Sequence, residues 1–259
     1  MDEGGALMSV TLAVLGDFGD AIDFIFRARE SRAGGAEVGG SQFLELGWEH
    51  VKLSVAAMAA ACAVSLPLGL WLGHIGRGEF LATSVSNVGR AVPSLALIAF
   101  FVAYLGVGFT NVTVALALLA IPPILTNAYV GVRQVDRDAI DAARGVGMTG
   151  AQIVRRVELP MALPLIFGGI RTSAVNVVAT ATIAPLAGVV TLGDPIINVS
   201  TYGDEGRLAA AIVVAALAVA TELSLGALQR AATPRGLKLE AGRPRRRLPF
   251  TTRRRELVT

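Results

Sequence analysis

Residues 135–160 read VDRDAIDAARGVGMTGAQIVRRVELP, a charged stretch that lies between two long apolar runs. Asp136 and Thr149 are residue types that cap helix N-termini, and Gln152 follows Thr149 by three positions, as in a capping box. Glycines, which interrupt helices, stand between the two caps. The stretch therefore predicts a helix, a glycine turn and a second short helix.

The small residues of this stretch indicate a docking surface. Ala142 and Ala143 precede Gly145 and Gly147, and side chains this small let the backbone of another protein approach closely. A plain connection between two membrane spans is usually shorter and less structured. We therefore expect the stretch to bind a partner, and we expect Leu159-Pro160 to end its second helix.

Long apolar runs surround this stretch and define the fold class. The chain has 259 residues, of which 53% are hydrophobic and 17% charged, whereas soluble domains are about 25% charged. Because about 20 apolar residues cross the hydrocarbon core as a helix, we predict an all-α integral membrane protein with about five transmembrane helices. The predicted spans are 51–73, 111–131, 162–188 and 208–229, and a fifth at 88–106 with a broken or interfacial start at Arg90 and Pro93.

The distribution of basic residues predicts the orientation in the cell membrane. Sixteen Lys and Arg lie in residues 74–81, 132–160 and 230–259, and only four lie in the connections on the other side. Basic residues favour cytoplasmic connections. We therefore expect a multi-pass protein with its N-terminus outside and its C-terminus in the cytoplasm.

The first 47 residues form a segment of their own. Asp17, Asp20 and Asp23 alternate with apolar side chains, a pattern that suits an interfacial amphipathic helix better than a span. Residues 31–41 are rich in glycine and predict a flexible linker. We expect residues 1–47 to lie outside the cell or at the membrane interface, and the acidic stretch argues against a signal peptide.

Two further segments complete the predicted organisation. We predict one transmembrane domain over residues 48–230, with the loop at 132–160 inside it, and a basic cytoplasmic tail over residues 231–259. Attraction to anionic lipid explains the tail more simply than nucleic-acid binding does, since each basic residue near the surface contributes about 1 kcal/mol.

The sequence gives no sign of catalytic, cofactor or metal sites. Cys62 is the single cysteine, and His50 and His74 stand at opposite ends of one apolar run. We find no Walker A, G-x-S-x-G or H-E-x-x-H pattern, so the energy for any work must come from a partner. A membrane enzyme would need a cluster of acids or histidines, which the spans lack. An ion-coupled secondary transporter stays an alternative through Glu222, the one acid in a confident span.

Polar residues inside the fourth long run suggest a translocation pathway. Ser173, Asn176 and Thr180 share one helix face, which serves either helix packing or a path for solute. Arg171 lies near the predicted inner end, where we expect its side chain to reach the headgroups.

The residues quoted above support a family resemblance. Asp141-Ala142-Ala143, Gly147 and Leu159-Pro160 resemble the E-A-A-x-x-x-G…L-P motif of binding-protein-dependent ABC importer permeases. The resemblance covers about residues 48–230 and is nearest to the osmoprotectant group, which transports glycine betaine, carnitine and choline. The similar stretches are LPLGL (66–70), NVGRAVPSLAL (87–97), AARGVGMT (142–149) and LGDPI (192–196).

This resemblance implies an ABC type I importer permease fold and a set of partners. Residues 136–149 would be the coupling helix in a cleft of an ABC ATPase subunit, with Asp141 facing a basic group, Ala142 and Ala143 packing there, and Gly147 making the turn. An extracytoplasmic binding protein would deliver the solute, and a second permease, identical or related, would complete the path. The solute would be glycine betaine, choline or carnitine, and another small solute stays open.

Two departures from the family pattern affect these expectations. Asp141 stands where glutamate is common, which predicts a weaker ion pair with the ATPase. Val190 and Thr191 stand where glycines are usual, which predicts a less flexible outer end of the fourth long run.

Overall fold

The computed structural model describes residues 16–35, 37–80, 84, 87, 89 and 91–234. The predicted basic tail from residue 235 on and residues 1–15 lie outside this part. Helices are numbered here in chain order, and most of the described residues belong to them. They are α1 (16–26), α2 (Ser41–Ile75), α3 (Ser94–Leu105), α4 (Phe109–Arg133), α5 (Arg137–Gly145), α6 (Gly150–Ala187), α7 (Asp194–Ile197) and α8 (Val199–Ala232).

Four of these helices are long and apolar enough to cross a membrane, namely α2, α4, α6 and α8. They confirm the predicted all-α membrane fold, although α2 begins ten residues before the predicted span. The helix α3 has 12 residues, which gives a length of about 18 Å at 1.5 Å per residue, and is therefore too short to cross alone. It begins directly after Pro93, whose backbone is extended, so the broken start predicted there is confirmed.

The centre of the bundle is α4, which packs against both α2 and α6. Gly69 of α2 lies so close to α4 that an added Cβ would be 2.7 Å from the Cβ of Ala128. Gly169 of α6 meets α4 in the same way, because its Cβ would be 2.7 Å from the Pro123 carbonyl oxygen. Small residues at these crossings allow the close backbone approach that holds helices together in lipid.

The helix α6 runs through a change of winding that the sequence did not indicate. Its first turn, Gly150–Ile153, continues into a π-helical turn at Val154–Glu158 and then into an α-helix, Leu159–Thr180. The prediction that Leu159-Pro160 ends the second loop helix was wrong. Proline costs a helix least in its first turn, and here it occupies the first turn after the π-helical segment.

The N-terminal residues form a small antiparallel hairpin. Its strands β1 (Ala28–Glu30) and β2 (Glu37–Gly39) pair with Arg29 opposite Val38. The expectation of a flexible linker at 31–41 was therefore wrong. Val38 is buried in one cluster with Phe24, and burial of this apolar surface holds the hairpin on the bundle.

The hairpin lies at one end of the bundle, which we call the hairpin side, and the end that carries α5 is the loop side. On the hairpin side, the turn between α6 and α7 buries Thr191. The Thr191 hydroxyl donates to the Ala181 carbonyl at 3.0 Å and accepts from the Gly193 N–H at 3.1 Å. Thr191 therefore ties the two arms of this turn together.

Candidate functional site

The helix α5 is built by the local signals found in its sequence. Its N-terminus is capped by the Asp136 carboxylate, which accepts from the Asp138 N–H at 2.9 Å. Its end is made by Gly147, whose φ of +82° is left-handed and suits glycine. The Met148 N–H returns to the Ala143 carbonyl at 3.1 Å and closes the end of the helix.

The following turn shows the predicted capping box. The Thr149 N–H donates to Gln152 Oε1 at 2.8 Å, and the Gln152 N–H donates to Thr149 Oγ1 at 3.4 Å. The two caps and the glycine confirm the predicted helix, turn and helix. Gly145 lies within the last turn of α5 and Gly147 alone makes the reversal.

One face of α5 contacts the protein and the rest is exposed. Ala143 is buried, whereas Asp141, Ala142, Gly145 and Gly147 are all exposed. Val146, at the tip of the turn, has 76% of its surface exposed. An apolar side chain and three small residues are thus presented together on the loop side, where another protein can reach them.

The acidic residue of this surface has a weak partner of its own. Arg144 donates to the Asp141 carboxylate at 3.2 Å, and the two side chains are 61% and 69% exposed. Exposed pairs of this kind contribute about 0–1 kcal/mol. Asp141 can therefore exchange Arg144 for a basic group of a partner at little cost.

A buried carboxylate connects the loop to the first long helix. Glu158, in the π-helical turn of α6, is buried and accepts a hydrogen bond from His74 Nδ1 at 2.9 Å. The pair closes one wall of a polar cavity of about 370 Å³ beneath α5. The cavity is also lined by Arg133, Arg137, Asp141 and Arg144.

Leu159 and Pro160, the last residues of the predicted motif, continue this connection into the membrane. Leu159 is half-buried and packs against the cluster formed by Ala128, Val132, Ala162 and Ile166. The start of α6, which follows α5 in the chain, is therefore joined to α2 through Glu158 and to the packing of α4 and α6 through Leu159.

Comparison of this sequence with known proteins identifies its family. A family model described as the binding-protein-dependent transport system inner membrane component matches residues 65–235. The chain belongs to this family. It is therefore a transport component of a membrane rather than an enzyme, as predicted from the motif around Gly147.

Within this family, the permease is similar to proteins that are named for the transport of osmoprotectants. It is 36% identical over 203 residues to the choline transport system permease protein OpuBB of Bacillus subtilis (strain 168), covering 78% of this chain and 94% of that protein. It is 38% identical over 200 residues to the carnitine transport permease protein OpuCB of Listeria monocytogenes, covering 77% and 92%. The predicted resemblance to osmoprotectant permeases is confirmed.

Solved structures share the fold of the permease. Inward-facing conformations of the MetNI methionine ABC transporter match with a TM-score of 0.64 and 22% identity, over 74% of this chain and 96% of that chain. An amino acid ABC transporter with histidines matches with a TM-score of 0.54 and 22% identity, over 73% and 91%. These matches confirm the expected ABC importer permease fold.

The structure separates the three residues that were predicted to line a pathway, since only two of them line a cavity. Asn176 and Thr180 line one cavity of about 190 Å³ between α6, α4 and the start of α3 at Ser94. Ser173 is buried, and its hydroxyl donates to the Ala120 carbonyl of α4 at 2.9 Å. Ser173 thus joins two helices of the permease, and a pathway role for the other two stays a prediction.

An ion pair within the spans was missed by sequence reasoning. Arg171 of α6 donates to the Glu222 carboxylate and, at 2.8 Å, to the Gln229 side-chain carbonyl, both on α8. Gly226, one turn from each of these partners, leaves room for the guanidinium. The Arg171 guanidinium is thus held between α6 and α8, and its contact with the headgroups stays a prediction.

His74 and Glu158 were also missed as functional residues. Their positions carried a partial signal, because each is an ionisable residue at the very end of an apolar run. Local sequence patterns cannot pair two residues that are 84 positions apart.

Proposed function

We propose that this permease imports a small compatible solute such as glycine betaine, choline or carnitine, driven by a partner ABC ATPase. The proposal about cargo is supported by the relatives, whose names specify choline and carnitine transport. The proposal about the drive is supported by one observation above all: α5 and its Gly147 turn are exposed on the loop side, with Ala142, Gly145 and Val146 open to a partner.

In the proposed coupling, the ATPase holds α5 in a cleft. Ala142 packs there, and Asp141 pairs with a basic group in place of Arg144. Ala143, which was expected to pack there too, is buried within this chain and instead holds α5 on the bundle. When ATP binding brings two ATPase subunits together, α5 moves with them. The movement passes through Glu158 and Leu159 to the spans, which then change the side from which solute has access.

The proposed orientation places the loop side in the cytoplasm, where an ATPase has access to ATP. Exposed arginines cluster around the loop, as the positive-inside rule requires. They are Arg133, Arg137, Arg144, Arg155 and Arg156. The hairpin side then faces outward, where an extracytoplasmic binding protein would release its solute.

The proposed solute path follows the cavity of Asn176 and Thr180. Pro122 and Pro123 line the same cavity, and since proline has no N–H, the helix carbonyls of Leu118 and Leu119 lose their usual donors. Hydroxyl, amide and carbonyl dipoles without net charge can bind a zwitterion or a quaternary cation briefly and then release it. A second permease subunit, identical or related, would close the open side of this path.

An ion-coupled mechanism finds no support in the described residues. Glu222, the acid on which that alternative rested, is bound to Arg171. That carboxylate already has a fixed cation as its partner and is not open to a coupling ion.

The function is tested in proteoliposomes that contain the permease and its ATPase, with binding protein and labelled choline or glycine betaine outside. We expect uptake that requires ATP inside and continues when ion gradients are dissipated. Competition by unlabelled carnitine, methionine and proline then ranks the solutes. Uptake without ATP, or uptake abolished by an ionophore, would contradict the proposal.

A further inference from the structure

The helix α8 contains a break near its start on the hairpin side. Gly203 has φ 72° and ψ 179°, so the backbone is extended there and the helix changes direction. In a continuous helix, the Thr201 carbonyl would accept from the N–H of Glu205. The break at Gly203 interrupts this pattern, and the Thr201 carbonyl accepts from donors outside the helix.

The N-terminal hairpin supplies the missing donors. The Ser31 hydroxyl and the Arg32 N–H donate to the Thr201 carbonyl at 3.0 Å and 3.2 Å. The Arg32 guanidinium binds both oxygens of Glu205 at 2.9 Å. The hairpin thus binds Thr201 before the break and Glu205 after it, and these bonds join segments about 170 residues apart in sequence.

The backbone conformation at the break favours glycine. A Cβ on Gly203 would overlap the Glu205 carboxylate and lie 2.7 Å from Arg32 Nε. The left-handed φ also disfavours any other residue. The sequence thus provides a residue for the break, a carboxylate beyond it and a guanidinium to bind across it.

Buried apolar side chains hold the hairpin next to the break in α8. Phe24 of α1 is buried and packs on Gly206, where an added Cβ would be 3.0 Å from Phe24 Cζ. Its ring also meets Phe43 of α2 edge to face, with centroids 6.0 Å apart. An exposed ion pair contributes little by itself, but here the buried aromatic ring already holds the two partners together.

The same end of α8 holds the turn that follows α6. The Tyr202 hydroxyl, next to the break, donates to the Asp194 carboxylate of α7 at 2.7 Å. A change in direction at Gly203 therefore moves α7 and the turn around Thr191 as well. This turn forms the hairpin-side end of α6, the helix that carries the proposed solute path.

We propose that residues 16–40, which we name the clip, position the broken end of α8 for transport, with Arg32 as the positioning residue. The proposal rests on the proposed function. The clip lies outside the stretch that matches the family model, which begins at residue 65. In this proposal it sets the geometry of the hairpin-side end during each transport cycle.

The test compares Arg32→Ala with Arg29→Ala in the reconstituted full transporter. Arg29 is the matched control because it belongs to the same hairpin but binds Asp23 inside the clip, at 2.6 Å. We expect Arg32→Ala to lower the maximal uptake rate about fivefold, the factor that corresponds to a loss of about 1 kcal/mol, with KM for solute little changed. Arg29→Ala should transport like the wild type.

Further variants test whether Arg32 acts through its contact with Glu205 at the break or only adds to the stability of the fold. The exchanged pair Arg32→Glu with Glu205→Arg should recover most of the rate. Gly203→Ala should reproduce the defect and add little to Arg32→Ala, because both remove one contact. A nitroxide on Asp204→Cys, in a Cys62→Ser background, should become more mobile in Arg32→Ala, while the ATPase still co-purifies.

Wild-type rate and KM in Arg32→Ala would overturn the clip proposal, even if the nitroxide becomes mobile. So would equal defects in Arg29→Ala and Arg32→Ala. Absence of ATP-driven uptake by the wild-type transporter would instead contradict the proposed function, so the two failures are distinguishable.

Discussion

The loop around α5 and the clip are both polar segments at the ends of the same bundle, yet they use their polar groups in opposite ways. In α5 and the turn that follows it, the side-chain bonds join residues two or three positions apart, such as Asp136 to Asp138 and Asp141 to Arg144. In the clip, Ser31 and Arg32 bind residues about 170 positions away. The loop thus keeps its surface free for another protein, whereas the clip uses its donors within the chain.

Two glycines show the same contrast. Gly147 and Gly203 both have a left-handed backbone, with φ of 82° and 72°. A Cβ on Gly147 would meet no heavy atom of the described residues within 4 Å, whereas a Cβ on Gly203 would collide with the clip. A glycine in open space serves a surface that a partner covers, and a glycine in crowded space serves a contact that is already made.

The largest effect is expected from loss of the aromatic ring that holds the clip. Phe24→Ala should lower the free energy of unfolding of the hairpin-side end by about 3–5 kcal/mol, because a buried ring is removed. Phe26→Ala is the matched control, since Phe26 is 78% exposed. Hydrogen exchange in nanodiscs would measure both. Equal protection of residues 28–39 in the two variants would show that the ring does not hold the clip.

A smaller loss of stability is expected on the loop side. His74→Ala leaves the buried Glu158 carboxylate without its imidazole donor, which costs about 1–3 kcal/mol. Arg144→Ala removes only an exposed pair and should change stability by less than about 1 kcal/mol. Thermal unfolding in detergent would compare them. A transition temperature unchanged by His74→Ala would argue against the connection from α5 to α2.

The backbone of the loop turn is tested by its two glycines. Gly147→Ala forces a left-handed residue with a side chain and should cost about 1–2 kcal/mol, lowering ATPase co-purification about tenfold. Gly145→Ala has an ordinary helical backbone and no contact within 4 Å among the described residues, so the fold should tolerate it. Pull-down of the ATPase with each variant measures the difference, and equal recovery would contradict the assigned role of the turn.

The smallest effect on stability is expected at Asp141. Asp141→Ala removes a pair between exposed side chains and should change the free energy of unfolding by less than about 0.5 kcal/mol. It should nevertheless slow ATP-driven uptake, and Asp141→Glu should retain it, because the charge is kept. If Asp141→Ala transports at the wild-type rate, the carboxylate has no partner in the ATPase.

The same contrast explains which features the sequence could predict. The caps at Asp136 and Thr149 and the turn at Gly147 depend on neighbours within a few residues, so their patterns were readable. The spans were readable because each one contains a long apolar run that depends on no distant partner. The π-helical turn before Leu159-Pro160 was not, since a winding change leaves no distinct residue pattern.

Features that depend on distant residues could not be predicted. The stretch at 31–41 has the composition of a linker, but Val38 becomes buried with Phe24 and fixes a hairpin there. Arg171 is a residue type that commonly reaches the headgroups from a helix end, but its guanidinium binds Glu222, which lies 51 positions further along the chain. In both cases the contact depends on a residue of another helix, and local sequence patterns do not reveal that residue.

The central claim, that a motor protein grips the exposed turn of the loop, is tested most directly at Val146. Val146→Cys in a Cys62→Ser background should cross-link to the ATPase subunit with a short bifunctional thiol reagent, provided that the ATPase carries a cysteine near its cleft. The same cysteine should be protected from maleimide labelling whenever the ATPase is bound. Full labelling of Val146→Cys in a complex that hydrolyses ATP and transports solute would contradict the account.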